Sequence, residues 1–195
     1  TERLVVDEAV ADAFVHQLAE RARALPLGDP RQGPVVLGPV VDMATVQRCN
    51  ALIDDALAQG ATLVCGGKSD TPLMPATLLD RVTPAMRIYH EETFAPVKAI
   101  VRVHGTEAAI ACANDHPFGL AAAVFGRDLA RAWQVAGRIQ SGICHINGPT
   151  VHDEAQMPFG GVKDSGWGRF GGQAGIEAFT ELRWITMQTS PRHYP

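Results

Sequence analysis

Two adjacent carboxylates, Glu91 and Glu92, stand directly before an aromatic side chain and a rigid bend, Thr93-Phe94-Ala95-Pro96-Val97. A carboxylate accepts two hydrogen bonds at once, which suits the vicinal diol of a ribose, and a ring beside it can pack on a planar cofactor. The same residues could instead form an ordinary acidic turn before an apolar strand, and residue types alone leave both readings open. A second stretch, Gly166-Trp167-Gly168-Arg169-Phe170-Gly171, has the spacing of a dinucleotide fingerprint. It lacks the required context: a loop, not a strand, precedes it, and no acidic residue follows Glu181. His152-Asp153-Glu154, with Cys144 and His145 nearby, are ligand types without ligand spacing, since neither a four-ligand zinc pattern nor a helical HExxH is present. Solvated loop residues are the simpler reading. No GxSxG nucleophile elbow occurs.

The elements that must position these residues follow from periodicity. Arg3–Val6 reads as a strand. Asp7 is placed to cap a helix over 8–24, with Val10, Phe14, Leu18, Ala22 and Leu25 as its apolar stripe. Residues 26–39 hold three glycines and four prolines and form a loop. A second helix is expected from Asp42 to about Gln59, with Val46, Cys49, Ile53 and Leu57 on one face and Gly60 as its stop. Short apolar strands are expected at 61–65, 77–82, 97–103, 120–125 and 143–146, and helices at 106–114 and 128–140, the latter capped by Asp128. A Gly-rich loop, 147–170, leads to a short helix and a last strand at 180–188. Short strands alternating with helices predict an α/β fold: an open, mostly parallel sheet with helices on both faces. Ligands in such folds sit beyond the C-terminal strand ends, which directs attention to 90–97 and 147–170.

Composition bounds the class. At 195 residues, 46% hydrophobic and 19% charged, the chain is a globular domain that should bury about 70% of its unfolded surface. A net charge of −4 without a basic stripe argues against nucleic acid and anionic membranes as partners, and no apolar run is long enough to span a bilayer. Cys49, Cys65, Cys112 and Cys144 contain no CxxC pair and no compact framework, which predicts free thiols and a cytoplasmic setting.

The order of several motifs resembles the aldehyde dehydrogenase family. Pro75-Ala76-Thr77-Leu78-Leu79, Met86-Arg87-Ile88 and Glu91 to Val97 are similar to its "P-T-x-L … M-x-I … E-E-x-F-G-P-V". Asn114 with Phe118-Gly119-Leu120 resembles "A-N-x-x-x-Y-G-L". Gly142-Ile143-Cys144-His145-Ile146-Asn147, then Pro158-Phe159-Gly160-Gly161-Val162-Lys163-Asp164-Ser165-Gly166-Trp167-Gly168-Arg169, resemble "G-x-V-x-I-N … P-F-G-G-x-K-x-S-G-x-G-R". One departure is Ala95, which stands where the family usually has Gly.

The resemblance implies the C-terminal portion of a catalytic domain over 1–179, followed by an oligomerisation strand and tail over 180–195. Thr1-Glu2-Arg3 is similar to the tail of the family's "G-Q-x-C-x-S-T-x-R". On that reading the nucleophilic cysteine lies just ahead of Thr1, with the general-base Glu and the oxyanion-hole Asn further ahead. No catalytic residue is then expected within the chain, which alone should be inactive. Glu92 would hold the nicotinamide ribose of NAD or NADP, and Phe94 would pack near the nicotinamide. Val151, His152 and Phe159 would line the pocket for a small aldehyde. Lys163, Ser165, Gly166 and Arg169 would shape the loop. The stretch 147–158 is similar to the branch acting on aromatic aldehydes such as salicylaldehyde, vanillin or benzaldehyde, and it lacks an Arg or Lys to clamp a second carboxylate. The last strand would join a homo-oligomer through a shared sheet, leaving an open edge here, or fold back on its own domain. The rival reading of the whole chain is a non-catalytic assembly or binding module that retains the fold.

Overall fold

Strands β1 (Arg3–Asp7), β2 (Thr62–Cys65), β3 (Thr77–Asp80) and β4 (Val97–Val103) form one sheet in the order β1-β4-β3-β2. The computed structural model describes residues 1–193. β4 lies parallel to both β1 and β3, with Val5 opposite Val101 and Leu78 opposite Lys98, while β2 is antiparallel at the edge. β4 is buried on both faces, as a central strand must be. Its Val97, Ala99, Val101 and Val103 pack with Val46, Cys49, Leu52 and Ile53 of α2 (Met43–Ala58), whereas Ile100 meets the other layer, made by α1 (Glu8–Arg23). The expected sheet with helices on both faces is present.

Both long helices start where a carboxylate can satisfy free amides. Asp7 accepts from the Ala9 N–H at 3.0 Å, and Asp42 accepts from the Thr45 N–H and hydroxyl, each at 2.8 Å. Past α2, Gly60 adopts φ +98°, a conformation that favours glycine. The buried stripe of α1 differs from expectation. Ala11, Val15, Ala19 and Ala22 face the sheet, while Val10, Phe14 and Leu25 are exposed. The stripe is turned by one residue because three alanines and a valine let the helix approach the sheet closely, where Val10 and Phe14 would hold it away. Leu57 of α2 is likewise on the exposed side.

Three short helices, α3 (Arg87–His90), α4 (Gly105–Asn114) and α5 (Leu129–Ala136), complete this part. The single turn α3 had no periodic signature. A two-residue strand β5 (Phe118–Gly119) precedes β6 (Ala121–Val124), which runs parallel to β7 (Ile143–Ile146) with α5 as crossover. The 147–170 loop contributes β8 (Val162–Lys163), antiparallel to β5. Glycine makes this docking possible: a Cβ on Gly142 would lie 1.8 Å from the Gly160 carbonyl oxygen. After α6 (Gly172–Ala178), residues 180–193 form neither helix nor strand. The alternating sequence favours extension, but a strand exists only where a second backbone pairs with it, and no described residue does so. Leu182, Trp184 and Met187 stand almost fully exposed, so this segment has not folded back onto its domain either. Tyr194 and Pro195 of the expected tail lie outside the described residues. No helix among the described residues is long and apolar enough to cross a membrane.

Candidate functional site

The turn between α3 and β4 is held from two sides by residues far away in sequence. From just ahead of β1, the Glu2 carboxylate accepts the Thr93 N–H at 3.0 Å and its hydroxyl at 2.8 Å, and the Phe94 N–H at 3.2 Å. From α2, Arg48 donates to the carbonyls of Glu92 and Thr93, the second at 2.9 Å. Thr93 is the buried pivot, 1% exposed, with its hydroxyl also within reach of the Ala95 and Val97 carbonyls. Lys98 completes the arrangement, its ammonium 3.5 Å from Glu2. The Thr93 carbonyl meets a further neighbour in the Cys49 thiol, at 3.7 Å.

This frame has two consequences. Phe94 takes φ +46°, a left-handed conformation that costs a bulky residue on the order of 1–3 kcal/mol and persists only where surroundings impose it. Its ring is 77% exposed, so packing of the ring does not impose it. The second consequence is electrostatic. Burial pushes the Glu2 carboxyl up, but the Thr93 amide, Lys98 and the remaining bonds outweigh it and hold the group below the usual range. Glu92, half-buried, is pushed up by burial and by the charge of Glu2. Among the described residues its carboxylate accepts no hydrogen bond, the only contact to Glu92 being Arg48 on its carbonyl. Glu92 therefore has spare acceptor capacity beside an outward-facing ring, and both fit a ribose diol joined to a planar ring.

The second expected loop is built from its own backbone bonds. Asn147, at φ +54°, brackets Gly126 by accepting its N–H and donating to its carbonyl, both at 2.9 Å. Lys163 donates to the Asn114 and His116 carbonyls at 2.7 and 3.0 Å, at the end of α4. Ser165 accepts the Gly119 N–H at 2.9 Å, and Arg169 donates to the Gly161 carbonyl at 2.7 Å. These are loop-shaping contacts. Phe159 packs on Phe170 with ring centres 5.1 Å apart, and their backbones exchange two hydrogen bonds. Val151 is exposed, and His152 stands edge-on to His145 at 5.5 Å while facing Glu154 at 3.3 Å. Nε2 of His145 is buried without a hydrogen-bond partner among the described residues.

Glu92 and Phe94 thus share one turn, and Val151, His152 and Phe159 share one loop. The open groove that Phe94 lines is made with 36–41 and Lys98, not with the three pocket residues. What links the two loops is the start of β1. The Thr1 hydroxyl meets the Thr150 hydroxyl at 2.7 Å while the adjacent Glu2 holds Thr93 and Phe94. Nothing in the sequence pointed to the contacts made by Thr1, Glu2, Arg48 and Thr150, because each acts through a partner tens to more than a hundred residues away.

Among the described residues no three His, Cys, Asp or Glu side chains gather as they would to hold an ion. All four cysteines are free. Burial pushes the Cys49, Cys65 and Cys144 thiols up, which disfavours the thiolate that a nucleophile requires.

Known proteins share this sequence and architecture. The chain is 58% identical over 195 residues to a vanillin dehydrogenase of Pseudomonas fluorescens, covering 100% of the chain and 40% of that protein. A salicylaldehyde dehydrogenase from Pseudomonas putida G7, solved with salicylaldehyde, superposes with a TM-score of 0.94 at 48% identity, over 100% of this chain and 40% of that one. An NADP-dependent glyceraldehyde-3-phosphate dehydrogenase from Bacillus halodurans C-125, solved with NADP, matches with a TM-score of 0.88 at 38% identity, over 93% and 38%. The chain therefore spans about 40% of the length of the curated relatives it matches. The model of the aldehyde dehydrogenase family matches residues 1–185, and with these likenesses the chain belongs to that family.

Proposed function

We propose that this chain forms the cofactor-ribose turn and part of the aldehyde pocket of an NAD(P)+-dependent dehydrogenase that oxidises an aromatic aldehyde to its acid. Motif order supports reading it as a later part of the family's catalytic domain. The observation that carries the reading is the convergence at Thr1-Glu2, where one residue reaches the Thr150 loop and the next holds the Thr93-Phe94 turn. A nicotinamide dinucleotide, when bound, supplies the hydride acceptor. Glu92 would accept the hydroxyls of its ribose with the free carboxylate, and Phe94 would offer its ring to the nicotinamide. Val151, His152 and Phe159 would wall the aldehyde, with no cation among 147–162 to receive a second carboxylate.

Covalent attack by a cysteine thiolate would give a thiohemiacetal, whose hydride passes to the dinucleotide to leave a thioester that water hydrolyses. None of the chain's own thiols takes that role, so the isolated chain does not turn over aldehyde. Segment 180–188 would pair with a second subunit, which accounts for its exposed Leu182, Trp184 and Met187. The setting is the cytoplasm, in keeping with four free thiols.

The test is single-turnover hydride transfer from vanillin, salicylaldehyde and benzaldehyde in the whole protein, with and without Glu92→Gln. Aromatic aldehydes are expected to outrun a semialdehyde acid such as succinate semialdehyde, and Glu92→Gln to slow transfer by about tenfold or more, as loss of a charged hydrogen bond to ribose would. An unchanged transfer rate removes Glu92 from the cofactor site. Aldehyde-dependent NADH formation by the 195-residue chain alone overturns the missing-nucleophile argument.

A further inference from the structure

We propose that Glu2 is a positioning residue for the cofactor: its carboxylate fixes Phe94 in the left-handed conformation and thereby sets where Glu92 and Phe94 point. The inference rests on the reading that these two face the nicotinamide ribose and ring.

Phe94 draws little hold from its own side chain. Its ring is 77% exposed, and Glu2 Oε1 is the only acceptor its N–H finds among the described residues. The neighbouring Thr93 N–H and hydroxyl go to the other oxygen of the same carboxylate. One side chain thus takes two successive amides, which constrains the peptide between Thr93 and Phe94 as no single-oxygen acceptor could. Arg48 holds the opposite edge by the carbonyls of Glu92 and Thr93, so the turn is gripped by an anion on its N–H side and a cation on its C=O side. Lys98, 3.5 Å from Glu2, keeps that anion from being unpaired in a half-buried place. Glu2 directly precedes β1 (Arg3–Asp7), whose parallel pairing with β4 starts at Arg3 opposite Ala99. The strand thus carries the carboxylate to the turn that feeds β4, so a shift of β1 along its ladder moves the turn with it. Both oxygens of the Glu2 carboxylate are engaged by the turn and by Lys98. It acts through Thr93 and Phe94.

The first measurement needs no variant. In the whole protein, amide hydrogen exchange at Thr93 and Phe94 is expected to be slower than at Glu92, although Phe94 is exposed. Equal exchange at Phe94 and Glu92 overturns the clamp. Glu2→Gln, which replaces two anionic acceptors by one neutral oxygen, is then expected to speed exchange at Thr93 and Phe94 about tenfold, while β4 amides keep their protection. In the same variant, NADH and NADPH titrated by fluorescence are expected to bind about tenfold more weakly, with the KM for aldehyde unchanged. A purely structural role would lower the folded fraction and move both constants together, or neither. Glu92→Gln is run in parallel. If it weakens dinucleotide binding and Glu2→Gln does not, the positioning role is overturned and the site assignment stands. If Glu92→Gln has no effect on binding, the site assignment itself fails, and faster exchange in Glu2→Gln reports only a structural turn.

Discussion

Arg48 donates to the carbonyl of Thr93 at 2.9 Å, and that carbonyl belongs to a residue only 1% exposed. Water has little access to replace the bond, so Arg48→Ala leaves the Thr93 carbonyl with only the weak Cys49 thiol donor. A loss of about 1.5–3 kcal/mol is expected, the range for hydrogen bonds to a charged group. Arg48→Lys should recover only part of it, since an ammonium on a flexible stem lacks the pre-organised fork that a planar guanidinium presents to the two carbonyls. The check is the urea midpoint at constant slope. A midpoint for the alanine variant equal to the parent's would show that solvent reaches the turn after all.

The clamp should weaken in acid. Burial raises the Glu2 carboxyl, but the Thr93 amide, Lys98 and the other bonds hold its folded value below the usual range. A carboxyl depressed on folding contributes stability that is fully present above its unfolded value, about 4.3, and is lost as pH falls through the folded value. The stability gap between the parent and Glu2→Gln is therefore expected to be widest at neutral pH and to close on acidification. Denaturation midpoints across an acid series measure it. A gap that widens as pH falls would mean that Lys98 and the amides do not favour the ionised form.

Arg102 illustrates a different electrostatic economy, away from the site. Its guanidinium meets Asp80 at 2.7 Å, Asp12 at 2.7 Å and Glu8 at 3.1 Å, and the side chains of Arg102 and Asp80 are 9% and 5% exposed. Arg102→Met strands the buried Asp80 carboxylate and is expected to cost about 3–5 kcal/mol. Adding Asp80→Asn should return part of that cost by removing the unpaired charge. Calorimetry of the two single variants and the double variant gives the coupling, and purely additive losses would argue against a direct pair.

Gly142→Ala probes the docking of the 158–170 loop. The added methyl would sit 1.8 Å from the Gly160 carbonyl oxygen, a backbone atom that cannot swing aside. About 1–3 kcal/mol of destabilisation is expected from overpacking, with selective loss of protection at Gly119 and Val162, which pair across β5 and β8. Uniform loss of protection across the four-stranded sheet instead would show that the two parts fold as one cooperative unit.

Local rules were enough for much of this. Asp7, Asp42 and Asp128 cap helices because a short carboxylate before a helical run can reach the free amides, and each does so. β4 was legible as Val97–Val103 and β7 as Ile143–Ile146, because short runs dominated by Val and Ile and bounded by turn residues suit strands. The motif order carried the family. What periodicity could not decide is which of two neighbouring stripes of α1 meets the sheet, since Val10-Phe14 and Ala11-Val15 are offset by one residue and only close approach to β1–β4 selects the smaller set. Nor could it show that 180–188 lacks a pairing partner among the described residues, because a strand is a property of two backbones. The grip of Glu2 and Arg48 on Thr93 was equally out of reach: hydrogen bonds spanning 91 and 45 residues exist only once β1 lies beside β4 and α2 lies across it. Sequence determined which residues this protein carries to its candidate site, and tertiary structure decided which of them hold the others still, because amides and carboxylates recognise geometry rather than order along the chain.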